Sequence, residues 1–126
     1  MNRLATAFRW GPCTLLASAA LLVACFGATD TPDARALAYA QQATPHETSV
    51  AALYERSCRT CHSQQAAQAP LVGFAPHWAP RLTQGMPVLV GHVRDGYKGM
   101  PARGYCNDCS DQDYEALVRF MSTPHP

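Results

Sequence analysis

Two cysteines and a histidine stand within five residues, Cys58-Arg59-Thr60-Cys61-His62, and no other feature narrows so far what this chain can become. Such a cluster can close a disulfide, hold a metal or take up a covalently bound group. A thioredoxin-like redox pair would stand beside a βαβ pattern, and strand signals are weak throughout this chain. A zinc ribbon would join Cys58-x-x-Cys61 to Cys106-x-x-Cys109 across about 15–20 residues. Here forty-four residues intervene, and zinc gives no reason for a histidine directly after the second cysteine. Cys-x-x-Cys-His is the signature of c-type haem attachment. Thiols two residues apart on a helical turn reach both vinyl groups of one porphyrin, and His62 then ligates the iron as the proximal histidine.

The N-terminus supplies a compartment that suits this chemistry. Arg3 and Arg9 precede a twelve-residue apolar run from Cys13 to Ala24. The run falls short of the roughly 18 residues of a membrane span and suits the apolar region of a signal peptide, residues 1–24. It ends in Leu22-Val23-Ala24-Cys25, which resembles the lipobox of bacterial lipoproteins. There Cys25 is acylated and becomes the first mature residue. An ordinary signal peptide with an incidental cysteine is the alternative, and it would leave the protein soluble in the periplasm. Removing Arg3 and Arg9 takes two from ten basic residues, leaving eight against nine acidic ones, a net of −1. That balance excludes the concentrated basic excess of a nucleic-acid-binding protein. Beyond the membrane the surroundings oxidise paired thiols, so Cys106 and Cys109 are expected as a disulfide.

Residues 25–43 are rich in Ala, Thr, Asp and Gln and read as a flexible tether, helical only in passing over 34–42. The folded domain is expected over residues 44–123, followed by a short tail, 124–126. Thr44-Pro45-His46-Glu47 offers a helix start, with Val50, Leu53, Tyr54 and Ser57 at helical spacing into Cys58. Pro70, Pro76, Pro80 and Gly73 forbid a long helix across residues 69–81. A helix follows over 87–94, stopped by Gly96. The last begins at a Ser110–Asp113 capping box and presents Tyr114, Leu117, Val118 and Met121 on one face. The fold class is all-α. A domain of about 80 residues buries a limited core and gains from a covalent or cofactor staple.

The second axial ligand decides the reactivity. Met86, Met121, His77 and His92 are readable as core or surface residues. Met100 stands in Gly99-Met100-Pro101, a stiffened loop suited to delivering a thioether, and is the expected distal ligand. His–Met ligation raises the reduction potential and leaves no open iron position. His62 should donate its other ring N–H to a backbone carbonyl, for which Pro70 is the candidate. The Cys106–Cys109 bridge, worth about 2 kcal/mol for so short a loop, would stiffen the segment after Met100. Trp78 and Arg81 could bind haem propionates, or serve as plain core and surface charge. Arg56, Arg59, Lys98 and Arg103 flank these motifs, either as a positive rim steering an acidic partner or as a solvated face.

Cys58-x-x-Cys61-His62, Ala69-Pro70, Trp78-Ala-Pro-Arg81, Gly99-Met100-Pro101 and Cys106-x-x-Cys109-Ser-Asp occur in the order seen in small bacterial cytochromes c of the c5 type. The chain resembles that family from about Ser49 to Met121. The resemblance implies a class I cytochrome c fold, three to four helices wrapped around one covalently bound haem c. It also implies Met100 on the iron and Cys106–Cys109 as a disulfide. Ala102 and Tyr105 depart from the family's usual proline and small residue. The expected protein is a monomeric one-electron carrier on the periplasmic side of a bacterial membrane, anchored through Cys25. It exchanges electrons with a redox donor and acceptor and is not itself an enzyme. A haem peroxidase or gas sensor with a labile Met100, and the electron-entry subunit of a dehydrogenase, are the alternatives.

Overall fold

The computed structural model describes residues 30–125; the signal segment and Cys25 lie outside the described residues. Five helices carry the chain. Helix α1, Ala34–Gln42, is capped by Asp33, whose carboxylate accepts from the Ala36 amide at 2.8 Å. Helix α2 is one rod of three pieces, α-helical Thr48–Leu53, a wider π turn Tyr54–Cys58, and α-helical Arg59–His62. Helices α3 (Ala75–Leu82), α4 (Met86–Asp95) and α5 (Asp111–Ser122) follow. Short 3₁₀ turns occupy Gln65–Ala67 and Ala102–Tyr105. Among the described residues no helix is long and apolar enough to cross a membrane.

The core forms where the helical stripes meet. Val50 and Tyr54 of α2 bury with Leu117, Val118 and Met121 of α5, joined by Leu71, Val72, Trp78 and Leu89. The Tyr54 ring meets Phe120 edge-on, centroids 4.9 Å apart, so α2 and α5 are in direct aromatic contact. A second cluster, Val90, Cys106, Cys109 and Tyr114, fixes α4 and the disulfide loop against α5. The α5 start is as expected: Ser110 and Asp113 form a reciprocal capping box.

Two expectations need correcting. Residues 30–43 are not a free tether. Ala40 and Ala43 bury in the core, Tyr39 stacks on His125 at 4.1 Å, and Arg59 donates to the Gln41 carbonyl at 2.5 Å. The residues before position 126 are likewise tied in, since the His125 amide donates to the Gly73 carbonyl at 2.9 Å. Small alanines allow α1 to lie close against the domain, an option that composition conceals. Helix α2 begins after Glu47, which makes no side-chain cap; Thr44 instead turns back toward the Gln42 carbonyl. The stretch 69–81 holds no long helix, only the two helical turns of Ala75–Leu82. Pro76 lies in the first turn, where its missing N–H costs nothing, and Pro80 removes one bond from an eight-residue helix.

Candidate functional site

The π turn of α2 ends on Cys58 and the last turn carries Cys61 and His62, so the π turn sets the direction of all three. An added residue in a helical turn rotates all that follows by about 100°. The Arg59 amide reaches five residues back to the Tyr54 carbonyl, and the Ser57 hydroxyl donates to the Leu53 carbonyl. Both cysteines are free and half-buried. Burial raises the Cys58 thiol above its ordinary range, partly opposed by Ser57.

His62 is buried, and its Nδ1 lies 2.8 Å from the Pro70 carbonyl oxygen. A carbonyl only accepts, so Nδ1 carries the proton and Nε2 keeps a lone pair. Burial holds the imidazole below its ordinary pKa, the Pro70 bond opposes this, and the Arg81 charge adds to it. The loop 70–73 that supplies this carbonyl is itself fully engaged. The Leu71 amide donates to His77 Nδ1 at 3.1 Å, and the Leu71 carbonyl accepts from Trp78 Nε1 at 2.8 Å. The Val72 and Gly73 amides donate to the carbonyls of His62 and Met121.

Opposite stands the Met100 loop. Tyr97 and Met100 exchange two backbone hydrogen bonds of 3.0 Å, and Tyr97 stacks on His92 at 3.9 Å. Gly96 adopts φ +87°, and a Cβ there would meet the Ala102 nitrogen at 3.0 Å and the Met100 oxygen at 3.2 Å. Only glycine fits so tight a return. Beyond Met100, Arg103, Gly104 and Tyr105 all have positive φ, which costs non-glycine residues about 1–2 kcal/mol each. The segment is held by the Cys106–Cys109 disulfide, by Tyr114, whose hydroxyl donates to the Cys106 carbonyl at 2.9 Å, and by Arg103 donating to Asn107.

Cys58, Cys61, His62 and Met100 open on one cleft. Its atom-free space is about 470 Å³, mouth included, and its walls include Val93, Leu117, Val118 and Met121. Two free thiols, one imidazole with its proton already committed, a thioether and apolar walls fit a covalently bound haem. They do not fit a zinc ribbon, because the sulfurs of Cys106 and Cys109 are joined to each other.

The remaining sequence candidates sort clearly. Trp78 is core: its N–H is committed to Leu71 and is not free for a propionate, and its ring lies behind His62 with centroids 6.1 Å apart. Arg81 donates to the His77 carbonyl and borders a separate surface hollow with Pro70 and His77. Both His77 nitrogens are taken, by Leu71 and Asp30. Of the four flanking cations, Arg56 pairs with Asp108 and Arg59 with Glu55, so neither contributes a free positive rim. The bracing roles of Ser57, His77 and Tyr114 had escaped sequence reading; Ser57 and Tyr114, each on the apolar stripe of its helix, carried a signal there.

Comparison with known proteins agrees with the site. Residues 45–121 match the family described as cytochrome C oxidase, cbb3-type, subunit III. The chain is 42% identical over 74 residues to cytochrome c-555 of Chlorobaculum tepidum, covering 56% of this chain and 68% of that one. The chain belongs to the class I, c5-like c-type cytochromes. It is also similar to cytochrome c5 of Azotobacter vinelandii, 34% identical over 67 residues, covering 52% of this chain and 81% of the relative. A solved structure described as an electron transfer complex of nitrite reductase with cytochrome c matches with a TM-score of 0.54 and 33% identity, over 60% of this chain and 93% of that one. This cytochrome therefore carries one covalently bound haem c, with Cys58, Cys61 and His62 in the Cys-x-x-Cys-His position, and acts in electron transfer. The family match begins at residue 45, after α1.

Proposed function

We propose that this cytochrome shuttles single electrons between redox proteins on the periplasmic side of a bacterial membrane, with its iron held between His62 Nε2 and the Met100 thioether. The reading rests on one observation, the convergence of Cys58, Cys61, His62 and Met100 on a single apolar cleft. The bound haem supplies a one-electron iron couple. The chain's own part is to keep both ligands still. Pro70 orients His62, while the Tyr97–Met100 backbone pair and the Cys106–Cys109 bridge fix the opposite side. An iron held by both residues would have no position left for a substrate, so the protein works as a carrier and not as an enzyme.

Partners dock at the cleft mouth. Tyr105, 68% exposed, and Arg103 both line the cleft, and Lys98 lies two residues from Met100. Among the described residues Arg103 and Lys98 make no ion pair, unlike Arg56, Arg59, Arg94 and Arg119; Arg103 donates to the Asn107 carbonyl and Lys98 lies over the Tyr97 ring. Two cations with no carboxylate beside them, next to an exposed aromatic ring, suit a redox partner whose docking face has carboxylates around an apolar centre. Acylation of Cys25 holds the carrier at the membrane, and a Cys25→Ser variant should leave the membrane fraction.

The absorption spectrum tests the ligand set. The ferric holoprotein should show the weak red-edge band of thioether-to-iron coordination, and Met100→Leu should abolish it. A high-spin ferric spectrum in the unaltered protein would sink the proposal in favour of a peroxidase or gas sensor.

A further inference from the structure

Segment 30–43 lies outside the residues matched by the cytochrome family, yet it is built into this molecule's core on the His62 side. Three attachments hold it. The Asp30 carbonyl lies 3.2 Å from His77 Nε2. Tyr39 fills the space at Gly73, where φ is +73° and a Cβ would come within 2.4 Å of the Tyr39 ring. Ala40, fully buried, packs in one cluster with Leu71 and Val72.

All three converge on the loop whose Pro70 carbonyl orients His62. His77 is the polar link. Its Nδ1 accepts from the Leu71 amide, so its proton sits on Nε2 and is donated to Asp30. One imidazole thus spans from this segment to the residue next to Pro70.

We infer that residues 30–43 form a strap which, through His77 and Tyr39, fixes the Pro70–Gly73 loop and so tunes the reduction potential of the haem; His77 is a positioning residue. The inference rests on His62 being an iron ligand. A firm Nδ1–H···O=C bond makes an imidazole a stronger donor and favours ferric iron. Loosening the loop weakens that bond and favours the ferrous state.

The test uses the full-length holoprotein and three variants, with midpoint potential and Leu71 amide hydrogen exchange as readouts. His77→Leu removes both ring bonds. Leu71 exchange should accelerate at least tenfold, and the equilibrium should move about threefold toward ferrous iron, roughly 30 mV upward at 59 mV per decade. His77→Asn, whose amide oxygen can still accept from Leu71, should restore most of the shift, which a general loss of packing would not. Tyr39→Ala, which frees the strap without touching His77, should shift the potential in the same direction by a smaller amount. A potential and an exchange rate unchanged in His77→Leu would overturn the inference, as would an unchanged potential in Tyr39→Ala. Should His77→Leu fail to retain haem, Tyr39→Ala decides: an upward shift supports the inference and an unchanged potential overturns it. The hyperfine-shifted imidazole proton resonances of the unaltered ferric protein report on His62 ligation independently of all three variants.

Discussion

The loops on either side of the cleft are held by opposite means. Loop 70–73 has Leu71, Val72 and Gly73 buried, with its backbone polar groups engaged by His62, His77, Trp78, Met121 and His125. The loop from Gly96 to Cys106 is exposed along much of its length, passes through three successive positive-φ residues, and is secured by a disulfide and a short backbone pair. On the proposed ligation by His62 and Met100, the chemistry of the two ligand types accounts for the difference. An imidazole must be held in one tautomer and one orientation, which takes a directed acceptor and therefore a rigid, dry loop. A thioether has no proton to direct and needs only to be placed. Covalent and conformational restraint achieves that while leaving the segment open to partners.

That contrast can be broken from either side. Gly73→Val should have the largest effect, losing about 3 kcal/mol from overpacking against Tyr39 together with a strained φ. Urea unfolding of the holoprotein at constant m would read it. Replacing both Cys106 and Cys109 by serine should cost less, about 2 kcal/mol. It should act on the opposite loop, so that the red-edge band fades on heating well before global unfolding while Leu71 exchange is unchanged. Reversing charge at the mouth with Lys98→Glu and Arg103→Glu should leave stability within about 0.5 kcal/mol. Oxidation by the anion ferricyanide should nonetheless slow about threefold at low ionic strength, a difference that salt erases.

The smallest expected effect concerns acid. Hydrogen bonding to Arg56 holds the exposed Asp108 carboxyl below its ordinary range. A carboxyl depressed in the folded state stabilises at pH values above its unfolded pKa, and that contribution is lost as pH falls through the folded value. Asp108→Asn should therefore flatten the acid limb of the stability curve slightly and leave neutral pH almost untouched. A steeper acid limb in the variant would contradict the assignment.

Sequence reading recovered the parts whose chemistry is local. The Cys58–His62 spacing, the Ser110–Asp113 capping box and the buried face of α5 each follow from a few adjacent residues, and the Pro70 carbonyl sits where the ligand logic put it. What stayed hidden was tertiary. A short Ala-rich helix looks soluble until a neighbouring surface has room for Ala40 and Ala43, and nothing near Gly73 in sequence announces that Tyr39 will occupy the missing side chain's place. Trp78 was readable as either propionate donor or core, because a distant backbone carbonyl decides which. Arg56 was readable as a steering charge or a solvated one, because its partner Asp108 is fifty-two residues away.

The strap occupies one side of the molecule only. Asp30, Thr31 and Pro32 border the hollow beside Pro70, His77 and Arg81, and none of them lines the cleft shared by Met100, Arg103 and Tyr105. A protein settling over that cleft does not have to displace the strap, so contact with a partner and adjustment through residues 30–43 use different ground.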